Sequence, residues 1–408
     1  MPWEARVYVR TMNAQLDSTR AWLVVAATFL ASAVTLGTVY SFGSFFESMA
    51  ADFGTGKGET AIVFGITTFS FFWLSLITGR LVDRFGPRPV MLLGAVSYFV
   101  GLMVTSTVDS IGIGYLTYGA GAGLAAACAY IPMLATVGGW FERQRATAIG
   151  ISVAGIGVGT LVMNPLVTRL LDSYSWRTTF RILGVGGALL LILCVALVGR
   201  APGAAGAAPS RFGEAARSPM FRRLWFAALS SGLALFVPFV FVVPYAKDEG
   251  IAASSAAWLV AVLGGASVLS RIGFGTLTER FGAFRLFRFG VLLFPVSYVI
   301  WLAAGSSYAL LMLFVIVLGA GYGCFVAVSP LVLANRYGIV GLGSLMGLFY
   351  TSQGLGGLIG PPVAGRIIDS TGSYRSTMVL ALIAGAVSTA ILFSIGTNAD
   401  GNLDPEPN

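Results

Sequence analysis

Arg271 stands deep inside an apolar run, AVLGGASVLSRIGFGTL (residues 261–277), with no acid beside it in sequence. A cation near the middle of a bilayer costs roughly 2.5–3.5 kcal/mol on insertion scales, so such residues face a cavity or a partner. Arg280, at the basic end of the run, is nine positions away, which is roughly 13.5 Å of helix. That depth argues against a snorkelling side chain. The planar guanidinium stays charged and donates two parallel hydrogen bonds, which suits a carboxylate. The expected chemistry is therefore reversible binding of a small organic anion. Tyr40, Tyr118, Tyr130, Tyr322 and Tyr350 also fall within apolar runs and offer an apolar wall with one hydroxyl each. Tyr118 and Tyr130 are twelve apart, about 120° of helical rotation, so both are not expected on one face. Gln353 adds an uncharged amide. The chain has no histidine, and Cys128, Cys194 and Cys324 lie within apolar runs, so no metal, cofactor or disulfide framework is expected.

The elements that must position these groups are membrane helices. Of 408 residues, 56% are hydrophobic and only 10% charged, against about 25% charged in soluble domains. Twelve apolar runs are each long enough to cross ~30 Å of hydrocarbon. They fall at about 21–46, 59–79, 88–107, 110–139, 146–168, 176–199, 224–246, 254–279, 284–304, 307–334, 341–367 and 374–397. The first is too long for a signal-peptide core and follows twenty polar residues, so it is read as a span. With both termini on one side, that side holds 17 of the 25 basic residues and the opposite side 7, Arg271 being the last. The positive-inside rule then places both termini in the cytoplasm. The net charge of +8 is explained by topology and lipid headgroups, and no nucleic-acid partner is expected.

A stretch rich in Ala, Gly and Pro, residues 200–223, divides the spans six and six. The expected organisation is a cytoplasmic tail (1–20), a six-helix bundle (21–199), a cytoplasmic linker (200–223), a second six-helix bundle (224–397) and a cytoplasmic tail (398–408). The halves repeat. GRLVDRFGPR at Gly79–Arg88 has a counterpart, GTLTERFGAFR, at Gly275–Arg285, and GAGLAAACAYIP at Gly121–Pro132 has one at Gly319–Pro330, GAGYGCFVAVSP. A duplicated six-helix unit implies a pseudo-two-fold axis along the membrane normal and a site at mid-depth between the halves. Asp83, Arg84, Arg88, Glu279 and Arg280 are read as a charge latch at the cytoplasmic helix ends. Ordinary positive-inside charge is the plainer account of any one of them.

Gly79, Leu81, Asp83, Arg84, Gly86 and Arg88 resemble the signature between helices 2 and 3 of the major facilitator superfamily. The resemblance implies an all-α membrane protein of twelve helices in two pseudo-symmetric six-helix bundles, rocking about a central site. Trp140, Phe141, Arg143, Arg145, Ala148, Gly150, Ala154, Gly155 and Gly159 resemble the helix-5 motif of monocarboxylate transporters and the related oxalate/formate antiporters. Arg271, with Gly275 and Glu279 at four and eight residues on, resembles their substrate-arginine helix. Tyr40, Tyr130 and Tyr322 fall at or near the family's cavity aromatics. Gln353 stands where the antiporters carry a second cation, so a dicarboxylate would keep one charge unbalanced at low dielectric. A monocarboxylate of the lactate or pyruvate type is expected, with Gln353 donating to a hydroxyl or keto oxygen. Packing between helices explains Gln353 equally well.

An anion entering a cell that is negative inside is opposed by ~2.3 kcal/mol per 100 mV, and one cotransported proton removes that opposition. Animal relatives carry an Asp four residues before the helix-8 Arg; Ser267 stands there in this chain. Asp248, in VPYAKDEG, is the remaining candidate proton carrier, a solvated loop acid being the alternative. The expected protein is thus a proton-coupled monocarboxylate symporter of a bacterial inner membrane, working as a monomer. Its expected partners are a small carboxylate, the proton and lipid. A carboxylate antiporter and a membrane sensor or binding protein without transport are the alternatives. Nothing in the chain suggests an enzyme.

Overall fold

The computed structural model describes residues 16–202, 212–338, 342–397 and Leu403. The two expected tails therefore lie largely outside the described residues, as does the middle of the expected linker, 203–211. Among the described residues, eleven helices are long and apolar enough to cross a membrane. The eleventh in chain order, Leu342–Thr371, is 30 residues long but too rich in Gly, Pro and hydroxyl side chains to match them in hydropathy. It completes the expected twelve, so the start of the first span and the end of the twelfth share one end, called terminal below. The other end is called distal below.

Local rules set the helix ends. Ser18, Ser175, Ser218 and Ser307 each accept from a backbone N–H in the first turn of spans 1, 6, 7 and 10, satisfying a donor that has no intrahelical partner. Span 2 (Lys57–Phe85) and span 8 (Ala253–Phe281) both stop at the glycine of Arg-Phe-Gly. Gly86 has φ 88° and Gly282 φ 81°, a region that side chains with a Cβ rarely enter. The repeated motif is thus one turn made twice.

Three spans are not the single rods expected from their hydropathy. Span 1 runs Thr19–Tyr40, turns at Ser41 and continues as Phe42–Phe53. Span 4 (Ile111–Trp140) contains a π-turn at Tyr115–Ala120 and breaks at Tyr130. Span 7 is Pro219–Leu235 followed by Val237–Asp248, with Phe236 between and Pro238 opening the second piece. Span 5 (Arg145–Ser173) continues through Asn164-Pro165, where Asn164 donates to the Thr160 carbonyl.

The halves meet along two seams. Span 2 packs on span 11 over most of its length. A Cβ at Gly58 or Gly365 would strike the other helix at the distal end, and one at Gly347 would strike Leu76 near the terminal end. Span 5 meets span 8 where Gly157 and Gly264 touch backbone to backbone, the close approach that small residues permit.

Candidate functional site

Arg271 lies beside the second seam, 8% exposed. Its Nη1 donates to the Val153 carbonyl of span 5 at 2.6 Å. Its Nε and Nη2 are buried and have no partner among the described residues. A guanidinium with only one of its three nitrogens engaged is costly in a low-dielectric interior. It is therefore configured to receive an acceptor. The Arg271 Cζ stands 5.5 Å from the Tyr322 ring centroid, within cation–π range. Ser267, one helical turn earlier, is fully buried, and its Oγ also has no partner.

Beyond Tyr322 opens a cleft between the halves, about 370 Å³ in empty volume. Of the expected residues, Tyr130, Tyr322, Tyr350 and Gln353 line it. The break in span 4 falls at Tyr130 itself (φ −113°, ψ −82°). Tyr322 shares a hydroxyl–hydroxyl bond of 3.3 Å with Tyr40 across the halves, and Tyr40 stacks on Phe239 at 4.5 Å. Tyr350 bonds Ser329 through its hydroxyl and stacks on Phe72 of span 2. The remaining wall is apolar and includes Phe72, Phe236 and Phe325. The arrangement offers one buried cation, several hydroxyls and aromatic faces.

Tyr118 does not join the cleft. It is fully buried in the first half, donates to the Thr38 carbonyl and stacks on Phe180 at 5.2 Å. The π-turn that contains it and the break at Tyr130 separate the two rings.

Gln353 differs from the expected donor. Its Nε2 already donates to the Ala228 carbonyl at 2.7 Å and approaches Ser231 Oγ at 3.4 Å.

Asp248 is not in the cleft either. It is half exposed at the distal end of span 7, paired with Lys57 Nζ at 3.1 Å and accepting from the Tyr374 hydroxyl at 2.8 Å. Burial, and then the bond to Asp248, hold the Tyr374 phenol well above its ordinary range, so it remains a donor. Around this pair the two halves are tied together. Lys247 pairs with Glu47. Asp369, at the end of span 11, accepts from the backbone N–H of Lys57 and of Gly58 at 2.9 and 2.8 Å. One half thus caps a helix N-terminus of the other, whose own cap residue, Gly56, offers no side chain.

The expected latch at the terminal end is not engaged. Asp83 and Glu279 form no ion pair among the described residues. Arg88 instead donates to the Val198 carbonyl at the end of span 6, and Arg200 donates to the carbonyls of Asp83 and Arg84. Arg84 and Arg280 lie over Phe85 and Phe281. The Arg145 side chain turns back onto the Phe141 carbonyl. The backbone N–H of Arg143, with those of Glu142 and Gln144, is held by the Asp17 carboxylate.

These features can be set beside known proteins. The family model of the Major Facilitator Superfamily matches residues 28–272 and 224–407. The chain belongs to the Major Facilitator Superfamily. Monocarboxylate transporter 4 of Rattus norvegicus is 32% identical over 92% of this chain and 83% of its own length. Monocarboxylate transporter 12-B of Danio rerio is 28% identical over 93% and 87%. A bacterial homologue of the human lysosomal transporter Spinster, solved in an inward-facing and occupied conformation, superposes with a TM-score of 0.76 at 17% identity, covering 93% of this chain and 97% of that one. This superfamily member is an integral membrane protein with the fold of transporters, not of enzymes.

The sequence pointed to Arg271 and four of the cleft residues. It missed the distal ties, Lys57, Glu47, Asp369 and Tyr374, and the apolar wall. A lone Asp at a span end, as at Asp369, was the one available signal.

Proposed function

We propose that the chain moves a small monocarboxylate of the lactate or pyruvate type across a membrane together with a proton, by alternating access of its two six-helix halves. The observation that carries this reading is Arg271, whose Nε and Nη2 await an acceptor beside the cleft. One buried cation balances one carboxylate, and the neutral Gln353 supplies no second charge. The identity to monocarboxylate transporters over most of the chain supports the same cargo. Basic residues crowd the terminal side, so that side is assigned to the cytoplasm of a bacterial-type inner membrane and the distal end to the exterior. The ties across the distal end then belong to an inward-facing arrangement.

For the proton, the exposed Asp248 at the external mouth is the proposed carrier. Protonation removes its charge from the Lys57 pair and loosens the distal end, which couples proton arrival to opening. The substrate carboxylate, paired with Arg271, is the other place for the proton to ride.

The test is uptake of labelled lactate into proteoliposomes, with and without an inward proton gradient, for wild type and Arg271→Ala. Gradient-driven uptake is expected, reduced about thirtyfold or more in the variant, since removing one partner of a buried charge pair costs ~2–5 kcal/mol. Equal uptake by the variant would overturn the role of Arg271. Uptake that ignores the gradient and requires a preloaded counter-anion would show exchange in place of symport.

A further inference from the structure

The hydrogen-bond polarity of the cleft is set on both of its flanks. On the span 8 side Arg271 offers only donors. On the span 11 side the amide of Gln353 is oriented by its neighbours. A carbonyl oxygen can only accept, so the atom facing the Ala228 carbonyl at 2.7 Å must be Nε2. Ser231 Oγ donates to that same carbonyl at 2.8 Å, and so can take the second Nε2 proton as an acceptor. Both amide protons are thereby directed into the protein. Oε1 remains, buried and without a partner, on a side chain only 2% exposed that lines the cleft. Gly232 packs beside it without a side chain; a Cβ there would stand 3.1 Å from Oε1, a tight contact.

We propose that Gln353 is a specificity-determining residue that accepts a hydrogen bond from a hydroxyl of the transported acid, so that the substrates are hydroxy-monocarboxylates in preference to oxo-monocarboxylates. This rests on the monocarboxylate reading and sharpens it. A hydroxy acid presents a carboxylate to Arg271 and a donor to Gln353. An oxo acid brings a second acceptor toward Oε1 and leaves both unpaired in a water-poor site, where an unmet polar group is expensive. Sites built around a substrate hydroxyl discriminate strongly against analogues that lack it. Of the remaining lining, Phe72, Phe236 and Phe325 supply no polar atom, and the hydroxyls of Tyr322 and Tyr350 already have partners in Tyr40 and Ser329.

The experiment compares acids that differ only in CHOH against C=O: lactate with pyruvate, and 3-hydroxybutyrate with acetoacetate. KM is measured for all four in proteoliposomes of wild type, Gln353→Leu and Gln353→Met. In both variants the Ala228 carbonyl keeps Ser231 as its donor. Wild type is expected to favour the hydroxy acid of at least one pair by about tenfold. The variants are expected to bring that ratio to about one, through a raised KM for the hydroxy acid alone. A merely structural role would move both members of a pair together. Equal KM values in both pairs in wild type, a preference for the oxo acids, or a preference that survives both variants would overturn the proposal. If one variant fails to insert, the other decides the role of Gln353, and a wild-type ratio near one in both pairs overturns the proposal without either. Transport of none of the four by wild type would instead overturn the monocarboxylate reading itself.

Discussion

The two ends of this protein use charge in opposite ways. At the distal end, charged side chains cross between the halves: Lys57 to Asp248, Lys247 to Glu47, and Asp369 to the first turn of span 2. At the terminal end Arg88 and Arg200 serve their own half. Both bind helix-end carbonyls, and Asp83 and Glu279 pair with nothing described. The signature motif that identifies the superfamily is therefore idle across the halves in this arrangement, while residues outside any motif hold the halves together. A motif can mark a family through the state in which it is engaged, and a single structure shows it at rest.

The contrast can be broken from the distal side. The largest effect is expected from Gly365→Val. A Cβ at Gly365 would overlap the backbone of Lys57 and Gly58, and overpacking typically costs ~1–3 kcal/mol. The distal end should then stand open roughly 5- to 150-fold more often. The check is the labelling rate of Tyr350→Cys by an impermeant maleimide applied from the distal side; the three native cysteines are buried and give little background. A rate unchanged from the Tyr350→Cys parent would show that this seam does not hold the distal end shut.

Asp369→Ala comes next. Loss of a helix cap costs ~0.5–2 kcal/mol, so the same labelling should rise by about two- to thirtyfold, and Asp369→Asn, which retains one acceptor, should rise less. Smallest is Lys57→Met or Asp248→Asn. Both partners are substantially exposed, at 31% and 51%, and such pairs contribute ~0.2–1 kcal/mol. Their effect should be under about fivefold and should fade in 1 M salt, where screening is nearly complete. A larger or salt-independent effect of Asp248→Asn would show that this side chain holds the distal end by more than simple attraction to Lys57.

The twelve spans, the repeat and Arg271 were legible because each rests on composition or on a local violation of it. Tyr130 and Tyr118 were harder to separate. A twelve-residue offset fixes their relative rotation only in an uninterrupted α-helix, and span 4 has both a π-turn and a break. The polarity of Gln353 was not legible at all. It depends on a carbonyl 125 residues away, and either end of an amide suits a sequence equally well. The ties of Asp369 to Lys57 and Gly58 join positions more than 300 residues apart. Pattern within one span cannot reveal a cap supplied by another half.

Gly157 and Gly264 bear on wear more than on strength. Neither glycine brings a side chain of its own to the contact, which Val268 and Thr160 flank, so neither has a rotamer to reset when one half turns against the other. On the alternating-access reading the contact would serve as a plain bearing, adding no friction of its own. Any residue with a Cβ there would act as grit, jamming the rotation beside Arg271 without touching the cargo.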